Sequence, residues 1–209
     1  MHVRKLACVM GLAGVLNLGA RHAASEEPPD GLPSLAARVA VATCATCHGP
    51  RGQSVQPKFP VLAGQHANYL LAQLQAFRAQ TRGDPDAIGY MWGMAGPLSD
   101  ELMGALADYY SAQTSRRGEQ GDAAQIARGR QIYQNGDSNA GIPPCAACHG
   151  SGAAGTDTYP RLAGQHVQYL LKQLRSFQNN MRNVAIMHGV AKGLNDADMR
   201  AVATYLQSL

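Results

Sequence analysis

The 209-residue sequence predicts an all-α fold built from two tandem helical units, and three observations carry that prediction. Separate segments recur at nearly one offset, apolar residues follow helical spacing, and the pentad Cys-x-x-Cys-His occurs once in each copy. No alternating apolar run argues for a sheet.

The chain opens on His2, Arg4 and Lys5, then a mostly apolar run over residues 6–20, then Arg21-His22-Ala23-Ala24 and a polar stretch. That order is the layout of a secretory signal peptide, here placed at residues 1–24, and it assigns the protein to the periplasm. The run is shorter than the roughly 20 residues of a membrane span. Left uncleaved, the leader would act as an anchor, so peripheral membrane association is a reading its flanks allow. Cleavage lowers the formal charge from +4 to +1, because the leader takes three bases and no acid. No basic stripe with interleaved aromatics is left to suggest nucleic acid.

The first unit is expected over residues 25–112, a linker over 113–122 rich in Ser, Arg, Gly and Gln, and the second unit over 123–209. First helices are predicted over 33–47, with Pro33 tolerated in the opening turn, and over 123–133. Second helices begin at His66 and His166, each following the repeated block Leu-Ala-Gly-Gln-His and carrying apolar residues at helical spacing. Third helices begin at Ser99 and Asn195. Both are good N-caps, and Asp100 with Glu101, or Asp196 with Asp198, suit the helix dipole in the first turn. These last helices present Leu106 and Tyr109, or Val202 and Tyr205.

Units of this size have marginal cores, so a staple is needed. Of the five cysteines, Cys8 lies in the leader and the others all belong to the pentads, Cys44, Cys47, His48 and Cys145, Cys148, His149. A disulfide framework does not require the His that follows each pair, and a zinc site would need all four thiols together, although the pairs lie about a hundred residues apart. Two thiols three residues apart can form thioethers to the vinyl groups of one porphyrin while the adjacent imidazole binds its iron. Two covalently attached haem c groups are therefore expected, each supplying much of its unit's core.

The opposite axial position has several candidates: His66, Met91, Met94 and Met103 in the first unit, and His166, Met181, Met187, His188 and Met199 in the second. Register narrows them. With Leu98 set on Leu194, Met91 falls on Met187 and Met103 on Met199, whereas Met94, Met181 and His188 have no repeated partner. Met103 and Met199 lie inside a predicted helix as core filler. Met91 and Met187 lie in the stretch before it, expected to be irregular and to drape over the open haem face, and are assigned as ligands with His48 and His149. Pro60 and Pro160 are also repeated. Their carbonyls are expected to accept the proximal imidazole N–H and fix the ring.

At these residues the chain resembles class I c-type cytochromes, and specifically the dihaem cytochrome c4 family, over nearly all of the sequence after the leader. The matching features are both pentads, Phe59-Pro60 and Tyr159-Pro160 leading into Leu-Ala-Gly-Gln, and a Met seven residues before Leu-Ser or Leu-Asn. The resemblance implies two cytochrome c-like domains, each wrapped around its haem and related by an approximate two-fold. It also implies a crossing of the first and last helices, matched by Gly129, Tyr133 and Tyr205; Ala36 or Ala37 stands where the first unit would carry glycine, which predicts a looser contact.

With His/Met ligation each iron is filled, which favours one-electron transfer over substrate chemistry. The chain is accordingly expected to be an electron carrier, monomeric and not an enzyme. The resemblance supplies its partners: a quinol-oxidising cytochrome bc complex as donor and a terminal oxidase or reductase as acceptor. The rival readings are the cytochrome subunit of a dehydrogenase such as a sulfide-oxidising flavocytochrome, and a dihaem peroxidase or thiosulfate dehydrogenase.

Overall fold

The computed structural model describes residues 32–209, so the leader assigned to residues 1–24 lies outside them. Among the described residues no β-strand forms, and each unit is a set of short helices. In the first unit α1 (Leu32–Val39) runs through a wide π turn (Ala40–Cys44) into α2 (Ala45–His48), which carries the pentad. Then come α3 (Ala67–Arg78), a second π turn (Ala87–Met91) continuing as α4 (Trp92–Ala95), and α5 (Asp100–Ser111). The second unit repeats the plan as α6 (Ala123–Asn135), α7 (Ala146–His149), α8 (Val167–Gln178), α9 (Ala185–Lys192) and α10 (Asp196–Gln207).

The helix starts follow from their caps. The Ser99 hydroxyl accepts the Leu102 N–H at 3.2 Å, and the Asn195 carboxamide oxygen accepts the Asp198 N–H at 2.9 Å. Asp122 does the same for Gln125 at 2.8 Å and so starts α6. One of the orphan donors at each helix start is thereby satisfied.

The stretches before Ser99 and Asn195, expected to be irregular, are helical, and here the structure corrects that expectation. Met91 closes a π turn and Met187 sits in the first turn of α9, so neither lies in an irregular stretch. Gly89 and Gly93 in the first unit, and the β-branched Val184 and Ile186 in the second, mask helices that tertiary packing supports. Trp92 and His188, which follow the two Met residues, anchor these helices. The Trp92 indole N–H donates to the Arg82 carbonyl at 2.8 Å, and His188 Nδ1 lies 2.8 Å from the Phe177 carbonyl.

In the second unit α6 crosses α10 at Gly129, where an added Cβ would stand 2.0 Å from the Ala201 carbonyl oxygen. Only a glycine lets the two backbones meet there. The core around that crossing holds Ile132, Tyr133, Met199, Val202 and Leu206, all buried. In the first unit α1 meets α5 through fully buried Ala36, with Ala40, Leu106, Ala107 and Tyr110.

The two units meet through a repeated polar ring. Arg82 and Arg182 pair as an isolated antiparallel bridge, and both side chains are buried. The Gln73 oxygen accepts from Arg82 at 2.7 Å and from Arg182 at 2.8 Å, while the Gln173 oxygen accepts from the same two guanidiniums at 2.8 and 2.9 Å. Each guanidinium also lies over its own unit's ring, Phe77 at 4.7 Å and Phe177 at 4.6 Å. Asp84, 2.7 Å from Arg82, supplies a carboxylate to the ring. Burial opposes its ionisation, but the Arg82 guanidinium, the Gln173 amide and Arg182 outweigh that and hold the carboxyl below its usual range.

Residues 113–122 run against both units. Arg116 donates to the Ser54 carbonyl at 3.2 Å and to His166 Nδ1 at 3.2 Å, and the Glu119 N–H donates to the Gln207 carbonyl at 2.9 Å.

Candidate haem sites

The pentads close short helices, and the residue after each His is a glycine at positive φ, 72° at Gly49 and 76° at Gly150. A Cβ on Gly49 would stand 2.4 Å from the Gln53 carbonyl oxygen, so that turn demands glycine. The turn returns the chain toward Pro60 and Pro160. His48 Nδ1 lies 2.9 Å from the Pro60 carbonyl oxygen and His149 Nδ1 lies 3.0 Å from that of Pro160. A carbonyl only accepts, so Nδ1 carries the proton and Nε2 is left as the electron-pair donor.

Both imidazoles are 7 % exposed. Burial lowers their pKa, against the opposing Pro carbonyl bond, and so favours the neutral ring that can bind a metal. An aromatic edge flanks each: Phe59 at 6.2 Å from His48 and Tyr159 at 5.9 Å from His149, between ring centres. Cys44, Cys47, Cys145 and Cys148 are half-buried thiols with no disulfide among them. Burial pushes the Cys44 thiol up and the Cys145 thiol up to about 11. Among the described residues no cluster of His, Cys, Asp or Glu is arranged to hold a bare metal ion. Neutral imidazoles with a free Nε2, beside two unpaired thiols on an apolar core, fit a covalently attached porphyrin and its iron.

Of the remaining sulfurs, Met103 and Met199 are fully buried in their helices and fill core, whereas Met94 and Met181 are exposed. Met91 and Met187 are half-buried, and Met91 packs with Phe77, Ala87, Trp92 and Ala95. His66 and His166 bond across the junction instead. His66 Nε2 lies 2.9 Å from the Ala154 carbonyl and His166 Nε2 lies 3.0 Å from that of Ser54.

Sequence reasoning missed what Gln65 and Gln165 do, although both stand in the repeated Leu-Ala-Gly-Gln-His block. The Gln165 oxygen accepts the Val61 N–H at 2.9 Å and its amide donates to the Val61 carbonyl at 3.0 Å. Gln65 treats Arg161 the same way, at 2.8 and 2.9 Å. Arg82, Arg182 and Asp84 were missed as well. The signal for the two arginines was the recurrence of Tyr69, Gln73 and Arg82 as Tyr169, Gln173 and Arg182 at one offset of 100, whereas Asp84 falls on Val184 and carries no such signal.

Two helical units, each with a Cys-x-x-Cys-His turn, a carbonyl-held His and a Met-bearing helix, define a dihaem c-type cytochrome. The Cytochrome c family profile matches residues 34–112 and again 126–209. Cytochrome c4 of Stutzerimonas stutzeri is 39% identical over 180 residues, covering 81% of this chain and 85% of that protein. The solved structure of cytochrome c4 from Acidithiobacillus ferrooxidans superposes with a TM-score of 0.76 at 40% identity, covering 79% of this chain and 98% of that one. A thiosulfate dehydrogenase electron acceptor of Thiomonas intermedia is 36% identical over 172 residues, covering 79% of this chain and 77% of that protein. The chain belongs to the cytochrome c4 family. It is an electron-transfer protein with two covalently attached haem c groups.

Proposed function

We propose that the protein is an exported, periplasmic carrier that takes single electrons from a quinol-oxidising cytochrome bc complex and passes them to a terminal oxidase or reductase. Residues 25–112 and 123–209 are its two domains and 113–122 the linker. Cys44, Cys47 and His48 hold one haem with Met91, and Cys145, Cys148 and His149 hold the other with Met187. A c-type haem supplies a reversible one-electron iron couple when bound.

The observation that carries this reading is the repetition of the whole set in both units, down to the Pro carbonyl on each His Nδ1 at 2.9 and 3.0 Å. Those carbonyls hold the imidazoles in one orientation and one tautomer and raise the basicity of Nε2. A Met opposite would occupy the position a substrate needs, and a filled coordination sphere suits a carrier. Half-burial of Met91 and Met187 and the anchoring of the helices that carry them support that placement.

The relative in Thiomonas intermedia favours a second donor, a thiosulfate dehydrogenase, in place of the bc complex. A redox titration of the holoprotein followed by absorption is expected to give two one-electron steps, with no rapid carbon monoxide binding to the reduced form. Prompt carbon monoxide binding at either haem would overturn the closed-site reading. Reduction by thiosulfate with its dehydrogenase, faster than by quinol with the bc complex, would replace the proposed donor.

A further inference from the structure

The bonds made by Gln65 and Gln165 fall on particular peptide groups. The carbonyl that accepts from His48 belongs to Pro60, and the N–H of that same peptide group is the one on Val61. Gln165, from the other unit, takes that N–H at 2.9 Å. In the mirror arrangement His149 donates to the Pro160 carbonyl, and Gln65 takes the Arg161 N–H of that peptide at 2.8 Å. A chain of hydrogen bonds therefore runs from each proximal imidazole, through one peptide, into the opposite unit.

The two carboxamides are built for this. Gln65 and Gln165 are 8 % and 7 % exposed. Each oxygen also accepts the N–H of the next residue, His66 or His166, at 3.1 Å. Because backbone N–H groups only donate and backbone carbonyls only accept, the orientation of each amide is unambiguous.

We propose that Gln65 and Gln165 are cross-unit positioning residues that set the reduction potential of the haem in the opposite unit. This rests on the reading of His48 and His149 as axial ligands. An acceptor on a peptide N–H polarises that peptide and makes its carbonyl a better acceptor, since hydrogen bonds in series strengthen one another. A stronger bond to Nδ1–H gives the imidazole more anionic character, which favours the ferric iron. Docking of the two units thus tunes both irons, each from the other side.

The test is a pair of variants of the holoprotein, Gln165→Met and Gln65→Met, with each haem's potential followed through its own methyl resonances in the NMR spectrum. Gln165→Met is expected to raise the ferrous-to-ferric ratio of the first unit's haem about threefold at a fixed potential, or about 30 mV, since ~59 mV is tenfold for one electron. The second haem should stay unmoved, and Gln65→Met should do the reverse. Gln165→Glu keeps an oxygen on the Val61 N–H, so it should leave the first haem at or below its original potential; a rise there would contradict the proposal even if the Met variants do not fold. Equal shifts of both haems, or a shift confined to the variant's own unit, would mean that the residues act only as glue. Unmoved potentials with an intact low-spin His/Met spectrum would overturn the cross-unit link and leave the ligands standing. Absence of that spectrum from the wild-type protein would remove the ligand reading and the link with it.

Discussion

The two units hold the same haem-binding groups on different supports. The second closes its main helix crossing with Gly129, where an added Cβ would stand 2.0 Å from a backbone oxygen, whereas the first fills the equivalent crossing with fully buried Ala36. At the turn after the pentad the roles reverse. Gly52 at φ 75° lies under Tyr110, and a Cβ there would come within 2.8 Å of that ring, whereas its counterpart Ala153 carries its methyl at φ 54° and is fully buried in the second unit's core. Residues near the haem are constrained by chemistry common to both units. The supports need only fill space, so each unit pairs its glycines with the bulk of its own neighbours.

The largest expected effect lies at the junction, where the comparison is most lopsided. Asp84 gives the buried pair Arg82 and Arg182 a carboxylate, and the second unit has exposed Val184 at the corresponding place. Asp84→Ala leaves two buried guanidiniums facing each other and should cost about 3 kcal/mol, measured by denaturant unfolding of the holoprotein. Val184→Ala should change stability by no more than ~0.5 kcal/mol. Equal effects would break the asymmetry.

Gly129→Ala forces α6 and α10 apart and should cost about 3 kcal/mol in the second unit. Ala36→Gly in the first unit removes a methyl and stiffness from a helix that already accommodates them, and should cost only about 1 kcal/mol. Separate unfolding of the two units, read by each haem's spectrum, checks both values.

A smaller effect is expected with pH. His166 is buried, and that burial, with Arg116 beside Nδ1, pushes its pKa below the ordinary value, against the Ser54 carbonyl bond. The unfolded chain therefore takes up this proton more readily than the folded one. Stability is full above about pH 6.5 and falls as pH drops below it. Thermal unfolding at about pH 7.5 and about pH 5.5 should show that loss in the wild type and a reduced loss in His166→Gln. An equal loss in both would assign the acid sensitivity to other groups.

Much of this was legible in the sequence because repetition separates function from filler. Both pentads, the caps at Ser99 and Asn195, and the interior placement of Met103 and Met199 follow from residue type and register alone. The helices bearing Met91 and Met187 did not, because Gly89, Gly93 and the β-branched residues near Met187 obscure a pattern that tertiary packing restores. Nor did the junction. Gln65, Gln165, Arg82 and Arg182 look like solvated polar residues until the opposite unit supplies their partners, and no local periodicity encodes a contact between residues about a hundred positions apart.

The central claim is that each unit carries a His/Met-ligated haem, and the weak long-wavelength ferric absorption band of Met-to-iron ligation tests it most directly. Met91→Ala and Met187→Ala should each remove about half of that band. A band left whole in both variants would contradict the account.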